Sequence, residues 1–349
     1  MKIKISKNLF FDDSKPPITI AEISGNHKGK KNLFLKHLKA ANKSGCELVK
    51  IQTYEADDLT LNSKKKNFIL KKGLWKNNTL WSLYKKAQTP YKWHNEAFKL
   101  AKEKKINLFS TPFSIKSLNF LEKFNPPIYK VASFEITDLK LIYEIAKLNK
   151  PILLSTGIAS LPEIKSALKI INRFHNNVVI MYCVSGYPTP DSEMNLNTLL
   201  TFKKIFPKNL IGLSDHTDSI ESCLASIPFG IVAFEKHFKI NDKIVSPDSK
   251  FSITEKKMRE LNFQKKIFFS FLGKSKKIIK SSEKKSLIFR RSLFTSNEIK
   301  KGERFTSENI YTLRPKIGIC ASRYFLLIGK KSNKNKKKDS PIFFKDIAN

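Results

Sequence analysis

The sequence predicts an α/β protein: a (β/α)8 TIM barrel followed by a small C-terminal domain. Eight short apolar runs lead to this reading: ITIAEIS, ELVKIQTY, NLFSTPF, IYKVASFE, ILLSTG, VVIMYCVS, LIGLSDHT and IVAFEKHF, starting near residues 18, 47, 107, 128, 152, 178, 210 and 231. Most follow one another at the spacing of a strand, a loop and a crossover helix. Every run also closes on polar residues able to do chemistry. Parallel barrels gather their active sites at the C-terminal ends of the strands, and chance would not supply such residues on all eight.

Residues 1–17 are a lead-in ending in Pro16-Pro17, and the barrel runs from Ile18 to about Gly273. The strand runs are rich in Val, Ile and Leu, as suits strands buried on both faces. Apolar residues at helical spacing in LFLKHLKAANKSG, LNFLEKF, LIYEIAKL and EIKSALKIINRF predict crossover helices after strands one, three, four and five. The connection over residues 55–106 is long. Its second half, WSLYKKAQTPYKWHNEAFKLAKEKK, supplies the crossover helix, and its first half is an insertion on the active-site side, where long loops often cover substrates. The domain division is then 1–273 for the barrel, 274–285 for a Lys/Ser-rich linker and 286–349 for a separate small domain. In RRSLFTSNEIKKGERFTSENIYTLRP we read short β segments, a KKGE turn and a TSEN helix cap. KKSNKNKKKD, at 330–339, reads as an exposed loop.

A hydrophobic content of 41% excludes a disordered chain. No stretch approaches the roughly 20 apolar residues of a membrane helix, and the N-terminus lacks the apolar core and cleavage site of a signal peptide. The four cysteines, Cys46, Cys183, Cys223 and Cys320, form no CxxC pair, so free thiols and a cytoplasmic location are expected. The net charge of +36 suggests nucleic acid, but only seven of the 66 basic residues are arginine. The lysines are spread over the predicted helices rather than focused on one recognition element. We therefore expect no nucleic-acid partner and no membrane partner, while a positive field would steer a small polyanion.

His216 and His237 close the seventh and eighth runs. Neighbouring strands lie about 4.8 Å apart, so the two imidazoles can share one divalent metal and leave positions open for water and substrate oxygen. A hydrogen-bonded pair of core histidines is the plain alternative. His27 lies on the same side and is a candidate substrate contact, whereas His37 and His175 fall on predicted helices and read as surface residues. Lys50 and Lys130 end strands two and four, with the hydroxyls of Thr111, Ser133, Ser155, Ser185 and Ser214 around the same mouth. Two ammoniums in a ring of hydroxyls describe a phosphate or carboxylate pocket. A Schiff base on one lysine is a second reading. Glu22 and Glu135 are candidate proton carriers or sugar ligands. Asp215 and Asp248 are further acids nearby, and Phe113, Phe134 and Tyr187 are candidate apolar walls.

The segments AEISGNHKG, VKIQTY, FSTPF, KVASFEITDLKLI, ILLSTGIA, GLSDHT, EKHF and PDSKFS together resemble the nonulosonic (sialic-type) acid synthases, in the family's order. SFEITD and PDSKFS resemble the pseudaminic acid branch of that family. The C-terminal segment resembles the family's antifreeze-like (SAF) domain. The resemblance implies condensation of phosphoenolpyruvate with an N-acetylated amino-sugar, 2,4-diacetamido-2,4,6-trideoxy-L-altrose. N-acetylmannosamine and a legionaminic acid precursor are the alternative acceptors. By the same resemblance, His216 and His237 hold a divalent metal, Mn2+ or Mg2+. Lys50, Lys130, Thr111, Ser133, Ser155, Ser185 and Ser214 hold phosphoenolpyruvate. Glu22, Gln52, Tyr187 and Asp248 orient the sugar, and Glu135 moves a proton. The resemblance also implies a domain-swapped homodimer, in which Arg314 of one subunit reaches an acetamido group bound in the other. CVSGYPTP, around Ser185, departs from the family pattern. PKIGICAS and the charged 330–339 segment do so too, and the last strands of the small domain are expected to be poorly ordered.

Overall fold

In a computed structural model, which describes residues 1–348, the eight runs form eight parallel strands. They are β1 (Ile18–Glu22), β2 (Leu48–Thr53), β3 (Leu108–Pro112), β4 (Tyr129–Val131), β5 (Ile152–Ser155), β6 (Val178–Cys183), β7 (Leu210–Asp215) and β8 (Ala233–Lys239). Each pairs with the next, and β8 pairs with both β7 and β1, which closes the barrel.

Residues two apart on a strand share a face, and here the two faces differ in kind. The outward positions are apolar and meet the helices: Val49, Ile51, Leu154, Ile180, Leu213 and Phe234 belong to one core with Leu38, Ile145 and Leu168. The inward positions change character along the strand. Near the N-terminal ends they are apolar, and Ile20, Leu48, Phe109, Leu153, Val179 and Leu210 pack with Ile3, Ile5 and Phe11. The last three come from a hairpin (Lys2–Lys4 with Phe10–Asp12) that packs on this lower core. Toward the C-terminal ends the inward positions become Lys50, Lys130, Ser214 and Glu235. Burial of the lower layer fixes the strand register, and the register places the polar layer above it.

The helices that accompany the barrel are α1 (Lys31–Lys43), α2 (Ala56–Leu59), α3 (Leu80–Ala87), α4 (His94–Glu103), α5 (Ile115–Glu122), α6 (Leu139–Lys147), α7 (Leu161–Ile171), α8 (Thr198–Ile205), α9 (Glu221–Ser226) and α10 (Glu255–Leu272). The start of α7 shows the local logic: Ser160 and Glu163 form a reciprocal capping box, with Pro in the first turn. The crossover expected as one helix over residues 81–105 is two, α3 and α4, because Pro90 interrupts it. Among the described residues no helix is long and apolar enough to cross a membrane.

The chain divides into two compact units, Met1–Gly273 and the residues from Lys274 onward. Within the second unit, Ser281–Phe289 forms 3-10 turns. Strands β9 (Ser292–Thr295) and β10 (Ile310–Leu313) pair antiparallel over a core of Leu293, Ile299, Phe305, Ile319, Leu327 and Ile342. KKGE forms its turn, with Glu303 N–H donating to the Lys300 carbonyl at 3.0 Å. TSEN starts no helix: the Thr306 N–H donates to Asn309 Oδ1 at 2.7 Å, and the segment turns into β10. The 330–339 segment is more than an exposed loop. Lys331 and Lys336 bridge to Arg304 and Ile299, and Lys336 is buried with its Nζ 2.6 Å from Asp346 Oδ2.

Candidate active site

The upper barrel interior holds a charge cluster. Lys50 from β2 pairs with Glu22 from β1 and lies 3.1 Å from Glu235 Oε1, while Lys130 from β4 lies 2.9 Å from Glu235 Oε2. All four are buried. Lys50 also donates to Thr111 Oγ1 at 3.3 Å, and the Ser214 hydroxyl reaches Glu235 at 3.4 Å. Burial alone would lift the Glu235 pKa, but the Lys130 and Lys50 ammoniums outweigh it and hold the carboxylate ionised. Glu22 goes the other way: burial lifts it to about 7 despite Lys50. Burial lowers the Lys130 pKa, against the pull of Glu235. Near neutral pH two ammoniums therefore face one firmly ionised carboxylate and one partly protonated acid, leaving net positive charge for an anion.

Above this layer sit the two histidines, ring centroids 5.5 Å apart. His216 Nδ1 lies 2.9 Å from the Val184 carbonyl, which places the proton on Nδ1 and leaves Nε2 with a free lone pair. Nδ1 of His237 is buried and unpartnered. Burial pushes the His216 pKa down to about 4 and that of His237 well below the usual range, so both rings are neutral at pH 7. Among the described residues no cluster of three or more His, Cys, Asp and Glu is arranged around a common point. The donor set is thus two neutral imidazoles, one of them oriented by a backbone carbonyl. That set fits a divalent cation whose remaining positions are taken by water and substrate oxygens. Tyr187 packs on His216 at 4.4 Å between centroids, and Phe251 on His237 at 4.7 Å.

One wall carries hydroxyls. Ser133 and Ser185 lie 3.1 Å apart through their Oγ atoms, and Gly157, at φ +41°, donates its N–H to Cys183 Sγ at 3.1 Å. A Cβ at Gly157 would run into both serine side chains. Glu135 lies in the 3-10 turn after β4, two residues on from Ser133. Its Oε2 is buried without a partner, and burial lifts its pKa to about 7.

Another wall is aromatic: Trp75 comes from the insertion, Tyr54 from just after β2 and Tyr84 from α3. Trp75 donates Nε1–H to the Pro247 carbonyl at 2.9 Å and packs on Tyr187 at 5.8 Å. Tyr54 packs edge-on against Phe113 and Tyr84. Asp248 closes the rim, accepting from the Ser24 hydroxyl at 2.5 Å and the Gly25 N–H at 2.8 Å. Together these residues enclose a cavity of about 470 Å³, a size suited to a small ligand.

A barrel whose strand ends carry this constellation, followed by a second small unit, is matched by two family models. Residues 37–277 match the NeuB family and residues 290–348 match the SAF domain. The chain belongs to the NeuB family. The pseudaminic acid synthase of Campylobacter jejuni subsp. jejuni serotype O:2 is 40% identical over 94% of this chain and 95% of its own length. That of Helicobacter pylori is 38% identical over 95% of this chain and 98% of its own. The N,N'-diacetyllegionaminic acid synthase of the same C. jejuni serotype is 36% identical over 94% and 99%. Among solved structures, the spore coat polysaccharide biosynthesis protein spsE from Bacillus subtilis aligns with TM-score 0.67 and 27% identity, covering 100% of this chain and 99% of that one. An N-acetylneuraminic acid synthetase from Leptospira borgpetersenii aligns with TM-score 0.73 and 26% identity, covering 82% and 95%.

In this NeuB-family chain, twelve of the sequence-predicted site residues line one cavity: Lys50, Gln52, Lys130, Ser133, Glu135, Ser155, Ser185, Tyr187, Ser214, His216, His237 and Asp248. Phe113 and Phe134 line it too. Glu22 and Thr111 do not; both are fully buried and contact Lys50 instead. Arg314 belongs to the second unit, its guanidinium 6.0 Å above the Phe289 ring. His27 is no ligand contact. It is buried between Phe34 and Trp93, because the 3-10 turn Ser24–His27 folds it under the rim. His37 is not at the surface; it lies on the inner face of α1 against Phe238. Sequence reasoning missed Glu235, although it stands two residues before His237 and so on the same face. It also missed Trp75, Tyr54 and Tyr84, which no spacing rule ties to the strand ends.

Proposed function

We propose that this chain is a pseudaminic acid synthase, condensing phosphoenolpyruvate with 2,4-diacetamido-2,4,6-trideoxy-L-altrose to give pseudaminic acid and phosphate. The observation that carries the chemistry is the pair of ammoniums, Lys50 and Lys130, lying under two neutral imidazoles in one cavity. The choice of sugar is supported by three pseudaminic acid synthases at 38–40% identity over nearly the full chain.

Lys50, Lys130 and the hydroxyls of Ser133, Ser155, Ser185 and Ser214 bind the phosphoenolpyruvate anion, Lys50 being aimed by Glu22 and Thr111. His216 and His237 would hold a divalent cation, Mn2+ or Mg2+, which when bound polarises the sugar aldehyde and orients a water. The methylene carbon of phosphoenolpyruvate forms a C–C bond to the aldehyde carbon. Glu135, partly protonated near neutral pH, delivers a proton to the aldehyde oxygen as it becomes a hydroxyl. Water adds to the adjacent carbon; one of its protons restores Glu135 and the other leaves with the phosphate. The C–O bond to phosphate then breaks, leaving a ketone and inorganic phosphate. The two ammoniums offset the charge that builds on the leaving phosphate; such preorganised electrostatics is usually the largest catalytic contribution. Gln52, Tyr187 and Asp248 orient the sugar. A second copy would supply Arg314 to an acetamido group, making the working enzyme a domain-swapped dimer.

Phosphate release tests the reading, with each sugar offered separately, with Mn2+ and with chelator. Metal-dependent release with the altrose sugar alone is expected. Release with a legionaminic acid precursor instead would favour the second reading, for which the 36% identical diacetyllegionaminic acid synthase speaks. Release that survives chelator, with borohydride trapping of Lys130, would point to Schiff-base chemistry.

A further inference from the structure

Each histidine of the pair is preceded in the chain by one member of another ion pair. Asp215 precedes His216, and Lys236 precedes His237. The two are direct partners in the β7–β8 ladder, one position beyond Ser214 and Glu235. Strand alternation turns residues 214, 216, 235 and 237 toward the cavity, so 215 and 236 point the other way, and neither lines it.

Both side chains are 0% exposed, with Lys236 Nζ 3.0 Å from Asp215 Oδ2. The ammonium also donates to the Thr217 carbonyl at 2.7 Å and to the Thr217 hydroxyl at 3.1 Å, which uses all three of its donors. Asp215 Oδ1 accepts the Thr217 N–H at 2.8 Å, and Oδ2 accepts from the Ser222 hydroxyl and the Cys223 thiol. Residues 215 and 217, on either side of His216, are thus both pinned to the residue before His237. The β7–β8 ladder stops at Asp215, so beyond it the ammonium takes over from the sheet. The other hydrogen bonds to His216, the Thr189 N–H to its carbonyl at 3.0 Å and its Nδ1 to the Val184 carbonyl at 2.9 Å, come from the segment after β6. Stability alone does not account for such a pair, since apolar residues of similar volume commonly do as well or better.

We propose that Asp215 and Lys236 are positioning residues that fix the separation of His216 and His237 and thereby set the affinity of the pair for a divalent cation. This rests on the reading of the two histidines as cation ligands. The test is an EPR titration of the substrate-free, full-length protein with Mn2+ alone, beside its thermal unfolding midpoint. In the double variant Asp215→Asn/Lys236→Met, the Thr217 N–H keeps an acceptor but the ionic tie is gone. Its Kd for Mn2+ should weaken at least about tenfold, the usual cost of losing an outer-shell partner, while its midpoint stays near that of the wild type. A Kd within about twofold of wild type overturns the proposal, as does a lower midpoint with unchanged Kd. If the double variant does not fold, Asp215→Asn alone decides: weaker Mn2+ binding supports the proposal, and an unchanged Kd overturns it. His216→Ala separates the two levels. If it binds Mn2+ as the wild type does, the cation reading itself is wrong and the positioning role falls with it.

Discussion

Lys130 on the fourth barrel strand and Glu235 on the eighth reach across the barrel interior to an ion pair of 2.9 Å. Lys50 joins from the second strand at 3.1 Å, so one carboxylate holds two buried cations at the base of the cavity. Glu235→Gln would leave both ammoniums short of their counter-charge in a dry interior. Breaking a buried pair from one side costs about 3–5 kcal/mol, and urea denaturation of the variant should show a loss of that size. A loss under about 1 kcal/mol, the value of an exposed pair, would mean the cluster is solvated.

Glu135 sets a pH dependence. Burial raises its pKa from 4.5 to about 7, so the folded protein holds this proton where the unfolded chain has lost it. The associated stability is fully present below pH 4.5 and is lost as pH rises through about 7. Urea denaturation across that window should show wild type losing up to about 3 kcal/mol relative to Glu135→Gln. The same group gives the rate a limb that falls as pH rises through 7. That limb should be missing in Glu135→Gln, and its persistence there would assign the proton to another group.

Gly157→Ala should damage the anion wall. Its φ of +41° disfavours any side chain, and a Cβ meets Ser133 and Ser185 directly. Strain of this kind costs about 1 kcal/mol or more. The KM for phosphoenolpyruvate should rise by more than that for the sugar, as steady-state phosphate release would reveal.

Trp75→Ala should have the opposite signature. The indole packs against Tyr187 and Phe251 and is tethered to Pro247, with no contact to either lysine among its aromatic and hydrogen-bond partners. Aromatic packing of this kind contributes about 0.5–1.5 kcal/mol beyond area. The sugar KM should therefore rise about threefold to tenfold, with that for phosphoenolpyruvate unchanged. Equal effects on both would place the sugar elsewhere.

The barrel was legible because its strands are apolar runs, most of them at the spacing of a strand, a loop and a helix, each ending in a polar residue. That pattern led to Lys50, Lys130, His216 and His237 directly. Glu235 escaped because it lies inside a strand rather than at its end; the two-residue period from His237 would have found it. Lys236 was less accessible still, since outward positions of barrel strands are expected to be apolar; Asp215 reads in the sequence as an acid near the site, but it points away from the cavity. His27 and His37 were misplaced for a different reason. His27 packs against Trp93 and His37 against Phe238, residues far away in sequence. Trp75 lies in an insertion, and an insertion has no period from which to read its contacts.

The most direct measurement follows the bridging oxygen of phosphoenolpyruvate, labelled with oxygen-18, during turnover with the diacetamido-trideoxy-altrose and Mn2+. The proposed chemistry predicts label in the released phosphate and a product with the mass of unlabelled pseudaminic acid. Label retained in the sugar acid would mean P–O cleavage, and turnover without phosphate release would mean a different reaction; either result would contradict the proposal.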